Sequence, residues 1–179
     1  MKKALTAIIV ALFALTLAAC GSNSNETPSS NGAKSQNETA GQAPDAEKAK
    51  LKVYTSAKIA EDKVHTLFGK ATLQDGTPIL DPITGTAEKA KSLLANYFDP
   101  ALADKIVTHY ITDKKSGEST LVNVEPFFAA SILATKSAEE VQIEGENDTY
   151  TVTTADGGVY TLTWDASKSK YLVTSYEKK

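Results

Sequence analysis

Three textures follow one another along the 179 residues. Residues 4–19 are apolar and uncharged, residues 21–46 hold no aromatic and no large aliphatic side chain, and from Leu51 onward apolar residues recur periodically. Ala60, Val64, Leu67, Phe68 and Ala71 stand at i, i+4, i+7, i+8 and i+11, which is one face of an amphipathic helix. With Ser56 as N-cap, this spacing predicts a helix over 56–70. Two prolines and two glycines within 73–86 mark a loop with turns. Thr86 can then cap a second helix whose Ala87, Ala90, Leu93, Leu94, Tyr97 and Phe98 face inward. It stops at Asp99-Pro100, where the carboxylate accepts free amides and proline suits a first turn, so a third helix follows over 100–111. Leu102, Ile106 and Tyr110 line its inner face.

After "TDKKSG" the period changes from helical to two. "STLVNV" (119–124) reads as a strand, and "EPFFAASILAT" (125–135) as a short helix from Pro126 followed by a turn. "EVQIEG", "DTYTVTTA", "GVYTLTWD" and "KYLVTSYE" read as an antiparallel meander of three or four strands, with turns at Asp156-Gly157-Gly158 and "DASKSK". Its buried face draws on Tyr150, Val152, Tyr160, Leu162 and Trp164, with Leu172 or its neighbours Tyr171 and Val173. Helices first and a sheet after them predict an α+β fold, with N-terminal helices packed on one face of a curved antiparallel sheet.

The N-terminal texture has a different meaning. Lys2 and Lys3 precede an apolar run that ends in small residues, the layout of a secretory signal peptide, and the run is shorter than the roughly 20 residues needed to span a bilayer. Leu17-Ala18-Ala19-Cys20 resembles the lipobox of bacterial lipoproteins. That resemblance implies a diacylglyceryl group on the Cys20 thiol, cleavage before Cys20, and a location on the extracytoplasmic face of the cell membrane. Two acyl chains anchor stably where one binds only marginally. The polar run after Cys20 cannot bury enough apolar surface to offset its ordering entropy, so it reads as a disordered tether with a reach of about 25–30 Å. The expected division is a signal peptide over 1–19, the lipidated cysteine and linker over 20–46, and an α+β domain over 47–179.

Cys20 is the only cysteine, so once it carries lipid the folded part offers no disulfide, no thiolate nucleophile and no Cys-ligated zinc. Removing Lys2 and Lys3 with the signal leaves 17 lysines against 22 acidic residues, net −5, which argues against nucleic acid as a partner. All 19 basic residues are lysine, so a bidentate arginine site for phosphate or carboxylate is excluded. The two histidines lack metal-ligand spacing, Glu139, Glu140, Glu144 and Glu146 read as a solvated strand edge, and there is no phosphate loop, GxSxG or calcium loop. No cofactor and no metal are expected.

"AKSLLANYFDPALADKIVTHYI", followed by strands ending in "KYLVTSYE", resembles the NTF2-like, cystatin-like α+β fold found in many bacterial lipoproteins. The resemblance covers about 86–179 and implies a cone whose mouth can bind small molecules, with polar side chains inside it. The residues in matching places are Tyr97, Asp99, His109 and Tyr110, with Tyr160 beside them. Each also has a structural role open to it: Asp99 as a helix cap, Tyr97 and Tyr110 as core aromatics, His109 as a cation at a helix C-terminus. The expectation is a membrane-anchored lipoprotein with a non-catalytic binding domain for an envelope protein, peptide or small ligand, or a cell-wall partner. The alternatives are an inhibitor of cell-wall peptidases and a small-molecule enzyme using an Asp/Tyr pair in an NTF2-like cavity.

Overall fold

The computed structural model describes residues 46–179. The expected signal peptide, Cys20 and the expected linker up to residue 45 lie outside the described residues. The fold is mixed α+β, with three helices and two antiparallel sheets among the described residues.

Helix α1 (Ala46–Phe68) begins ten residues before the expected start, and Ser56 lies within it rather than at its cap. The cause is alanine. Ala49, Val53, Ala57, Ala60, Val64, Leu67 and Phe68 form one continuous buried stripe at helical spacing, and the alanines in it also favour the helix intrinsically. Gly69 ends the helix and leaves Ala71 outside it.

Helix α2 (Ala87–Leu94) starts as expected, with Thr86 Oγ1 accepting the Lys89 amide at 3.3 Å. It ends at Leu94 instead of running to Phe98, and Leu93 faces outward at 37% exposure, whereas Ala90, Leu94 and Phe98 are buried. Asp99 caps α3 (Pro100–Tyr110) by accepting the Ala101 amide at 2.8 Å. The Asp99 amide donates to the Val173 carbonyl at 2.9 Å and the Val173 amide to the Tyr97 carbonyl at 3.0 Å. That pairing explains the early end of α2, because residues 97–99 join the edge of the sheet.

The four C-terminal strands appear in the expected segments: β3 (Gln142–Glu146), β4 (Thr149–Thr153), β5 (Gly158–Asp165) and β6 (Lys170–Lys178), paired in sequence order. Tyr150, Val152, Tyr160, Leu162, Tyr171 and Val173 are buried in the core beneath α1, which touches all four strands, while Trp164 is half-buried. Leu172, whose side chain alternates to the other face, is buried as well.

Two segments differ from the sequence reading. Residues 111–122 form a hairpin of β1 (Ile111–Ser116) and β2 (Ser119–Val122) where only β2 was expected. β1 is exposed over most of its length, so it has no apolar alternation to reveal it; it is held by pairing, and by Thr112 Oγ1 donating to the Leu121 carbonyl at 2.7 Å. Residues 126–135 form no helix at Pro126; they run irregularly into a short 3₁₀ turn over Ile132–Ala134. Tertiary partners satisfy their amides instead: Phe127 N–H donates to Tyr110 Oη at 2.9 Å, Ala130 N–H to Tyr176 Oη at 2.8 Å and Ile132 N–H to Tyr160 Oη at 3.1 Å.

This irregular segment lies directly against the start of β5. A Cβ placed on Gly158 would stand 2.5 Å from the Ala130 carbonyl oxygen and 2.8 Å from Thr154 Oγ1, whereas Gly117 in the β1–β2 turn has φ +60° and open space around it. Gly158→Ala should therefore cost about 2–3 kcal/mol from overpacking, and Gly117→Ala only about 1 kcal/mol from its left-handed backbone. Urea denaturation of the two variants measures both; equal costs would mean that residues 130 and 158 are not packed this closely.

Candidate binding groove and its buried carboxylate

Glu61 occupies the buried stripe of α1 one residue beyond Ala60 and is only 5% exposed. A carboxylate in such a place needs donors. Ser131 Oγ donates to Oε1, while Oε2 accepts the Ile132 amide at 3.1 Å and the Tyr160 hydroxyl at 2.6 Å. Tyr160 Oη also lies 2.9 Å from the Ala130 carbonyl. Two turns earlier, the Tyr54 hydroxyl lies 3.0 Å from Thr135 Oγ1, and one turn earlier Lys58 Nζ donates to the Thr135 carbonyl. Tyr54, Lys58 and Glu61 thus form a line of polar anchors along one edge of α1, facing residues 131–135.

Burial is the largest influence on Glu61 and raises its pKa above the ordinary value near 4.5, against the three hydrogen bonds that favour the charged form. Burial and the adjacent Glu61 carboxylate push the Tyr160 phenol far up, so it remains a neutral donor.

A cavity of about 280 Å³ opens beside this network, lined by Glu61, Val64, His65, Tyr110, Pro126, Phe128, Ser131 and Leu133. Val64, His65, Tyr110 and Pro126 also line a second cavity of about 270 Å³, which continues past Phe68 to Pro78 and Val124. Together they make one groove between the C-terminal half of α1 and residues 123–133. Gly69 makes room for His65, whose Nδ1 lies 2.7 Å from where a Cβ would stand.

The four residues singled out in the sequence do not converge on this groove. Tyr110 lines it, stacked on Phe68 at 4.6 Å, and its hydroxyl accepts the Phe127 amide. His109 Nε2 bonds the Glu125 carbonyl at 2.8 Å, and its ring meets Tyr110 and Phe127 edge-on, so it supports the groove wall from behind. Asp99 is a helix cap, and Tyr97 lies under the Lys170 ammonium, 5.1 Å from its ring centroid. This pair is at the opposite end of α3, about 15 Å away along an 11-residue helix. No Asp/Tyr pair faces the groove; the carboxyl group that does is Glu61, with Tyr160 bonded behind it. Glu61 had one legible signal, a charged residue at a stripe position seven before Phe68 and three before Val64. Among the described residues no group of three His, Cys, Asp or Glu side chains could hold a metal ion.

Two outcomes test the network. Because burial raises the folded-state pKa of Glu61 above its unfolded value, its favourable contribution is complete below about pH 4.5 and is lost as pH rises through the raised value. Chemical denaturation of the wild type from pH 4 to pH 7 should therefore show a decline in stability that Glu61→Gln flattens; parallel curves would place the pH dependence elsewhere. Tyr160→Phe takes one donor from the buried carboxylate and should cost about 1–3 kcal/mol at pH 7. No protein-family model matches the chain, and neither a curated protein nor a solved structure resembles it significantly.

Proposed function

We propose that the protein is a lipid-anchored binding protein on the extracytoplasmic face of the cell membrane, held by a diacylglyceryl group on Cys20 and a polar tether. Its domain takes an extended, uncharged peptide segment of an envelope protein into the groove along α1. Its fold we read as NTF2-like, cystatin-like, a reading supported by three helices that precede the β1–β2 hairpin and the four-stranded antiparallel meander.

The observation that carries the binding role is the contrast between the walls and the floor of the groove. Its walls are apolar and aromatic, through Val64, Phe68, Tyr110, Pro126, Phe128 and Leu133, and Val124 at its far end is 73% exposed. Its polar floor groups, Glu61 and Ser131, are already bonded to each other and to the backbone. Apolar walls give affinity for a side chain leaving water.

Residues 21–179, which contain the whole described core, serve as bait against envelope extracts beside a Val124→Glu bait. Wild type should retain a partner that the variant loses at unchanged melting temperature; equal retention by both would remove the groove from the interaction. Cys20→Ala in the full chain should shift the protein out of the membrane fraction, and membrane retention at the mature size would overturn the lipid anchor.

A further inference from the structure

The outward side of α1 carries apolar residues that the core does not use. Leu51 is 60% exposed and Ile59 43% exposed, two of the five large hydrophobic side chains exposed among the described residues. With Thr55 they stand at i, i+4 and i+8, one outward stripe turned away from the buried line of Ala49, Val53, Ala57 and Ala60. Trp164 of β5 extends this face. It is half-buried, and with Leu51 and Thr55 it lines an open cleft of about 310 Å³.

Lysines border the stripe. Lys48 stands three residues before Leu51, Lys52 three before Thr55 and Lys63 four after Ile59, which places all three within it or along one flank. Residues 46–60 hold four lysines and one glutamate, whereas the whole chain has 22 acidic residues against 19 lysines. Of the acidic residues nearby, Asp62 lies 3.9 Å from Lys70, and Asp165 lies 3.3 Å from Lys168. Positive charge is thus concentrated beside exposed apolar residues in a chain that is acidic elsewhere.

We propose that this face docks on the anionic lipid surface of the membrane, with Leu51, Ile59 and Trp164 entering the headgroup region and Lys48, Lys52 and Lys63 meeting lipid phosphates. Lysines lay their stems along apolar surface while the ammonium stays among the headgroups, and tryptophan favours that interface. The place of the face in the chain fits, because α1 begins at Ala46, 26 residues after Cys20. A domain held on such a tether meets the membrane at high effective concentration, so a small patch suffices. The docking rests on the lipid anchor of the preceding reading for that proximity alone. The peptide groove stays open, since Glu61 and His65 stand roughly a quarter turn away around α1 and the two faces share no residue.

Residues 21–179 lack Cys20, so their binding to vesicles is independent of acylation. They should sediment with vesicles of equimolar phosphatidylglycerol and phosphatidylcholine, stay in solution with pure phosphatidylcholine, and dissociate as salt rises. Brominated acyl chains in the anionic vesicles should quench Trp164, the only tryptophan. Leu51→Glu and Ile59→Ser, both at exposed positions, should each lower binding at unchanged melting temperature. Lys48→Gln with Lys52→Gln should weaken it about fivefold for each lysine removed. Val124→Glu in the groove should change nothing. Equal sedimentation with both vesicle types, or none with either, would overturn the docking face. Undiminished binding by both Leu51→Glu and Ile59→Ser would overturn it too, and would assign the lysines to a soluble polyanion. So would a dimer in sedimentation velocity that Leu51→Glu dissociates, because the face would then belong to a second copy. Release of the full-length Cys20→Ala variant from salt-washed membranes, together with failed vesicle binding, keeps the anchor and removes the face. Vesicle binding with retention of that variant through salt washing removes the anchor alone.

Discussion

The structure depends on the burial of one carboxylate. Glu61 sits in a helix stripe that is otherwise apolar, and a charge there is tolerated only because three donors converge on it. Two of those donors, Ser131 and the Ile132 amide, belong to a segment with no strand ladder and no α-helix of its own. The same bonds therefore solvate the carboxylate and tell the 126–135 segment where to lie. Tyr54 and Lys58 extend the tie to Thr135, and Tyr176 holds Ala130 from the sheet side. An irregular chain becomes a fixed wall of the groove in this way.

Aromatic packing completes that wall. Phe128 stacks on Phe98 and on Tyr160, and Phe127 meets His109 and Tyr176, so ring contacts run from the turn between α2 and α3 to the groove. This accounts for the fate of the polar groups that looked most like chemistry. His109 and Tyr110 bond backbone atoms of residues 125 and 127, and Tyr160 bonds Glu61 and the Ala130 carbonyl. A hydrogen bond to an otherwise unpaired buried group is worth about 1–3 kcal/mol, a sizeable fraction of a domain's net stability of about 5–15 kcal/mol. Their place in the fold explains why these residue types occur where they do.

What was legible and what was not divides by range. The caps at Thr86 and Asp99 and all four meander strands follow from local pattern, since a cap involves residues two or three apart and a strand shows its own alternation. The start of α1 was misplaced because Ala49 and Ala57 are buried without looking apolar enough to count in a stripe. β1 was missed because its exposed residues carry no alternation, and the segment from Pro126 was misread because its apolar residues suit a helix equally well. Glu61 was overlooked because a glutamate on a helix is ordinarily solvated.

By itself the sequence determined the three helices, the caps at Thr86 and Asp99, the four strands of the meander, and an apolar content large enough for one α+β core. Each of these rests on interactions within a few residues. Only the tertiary structure decided that Glu61 is buried and that the chain from Pro126 to Thr135 takes its hydrogen bonds from Glu61, Tyr110, Tyr160 and Tyr176. Those outcomes turn on partners 17 to 99 positions away, and no local period records a bond of that span. The same holds for the unpaired Tyr171 hydroxyl, which only the packing of β6 against its neighbours leaves without a partner.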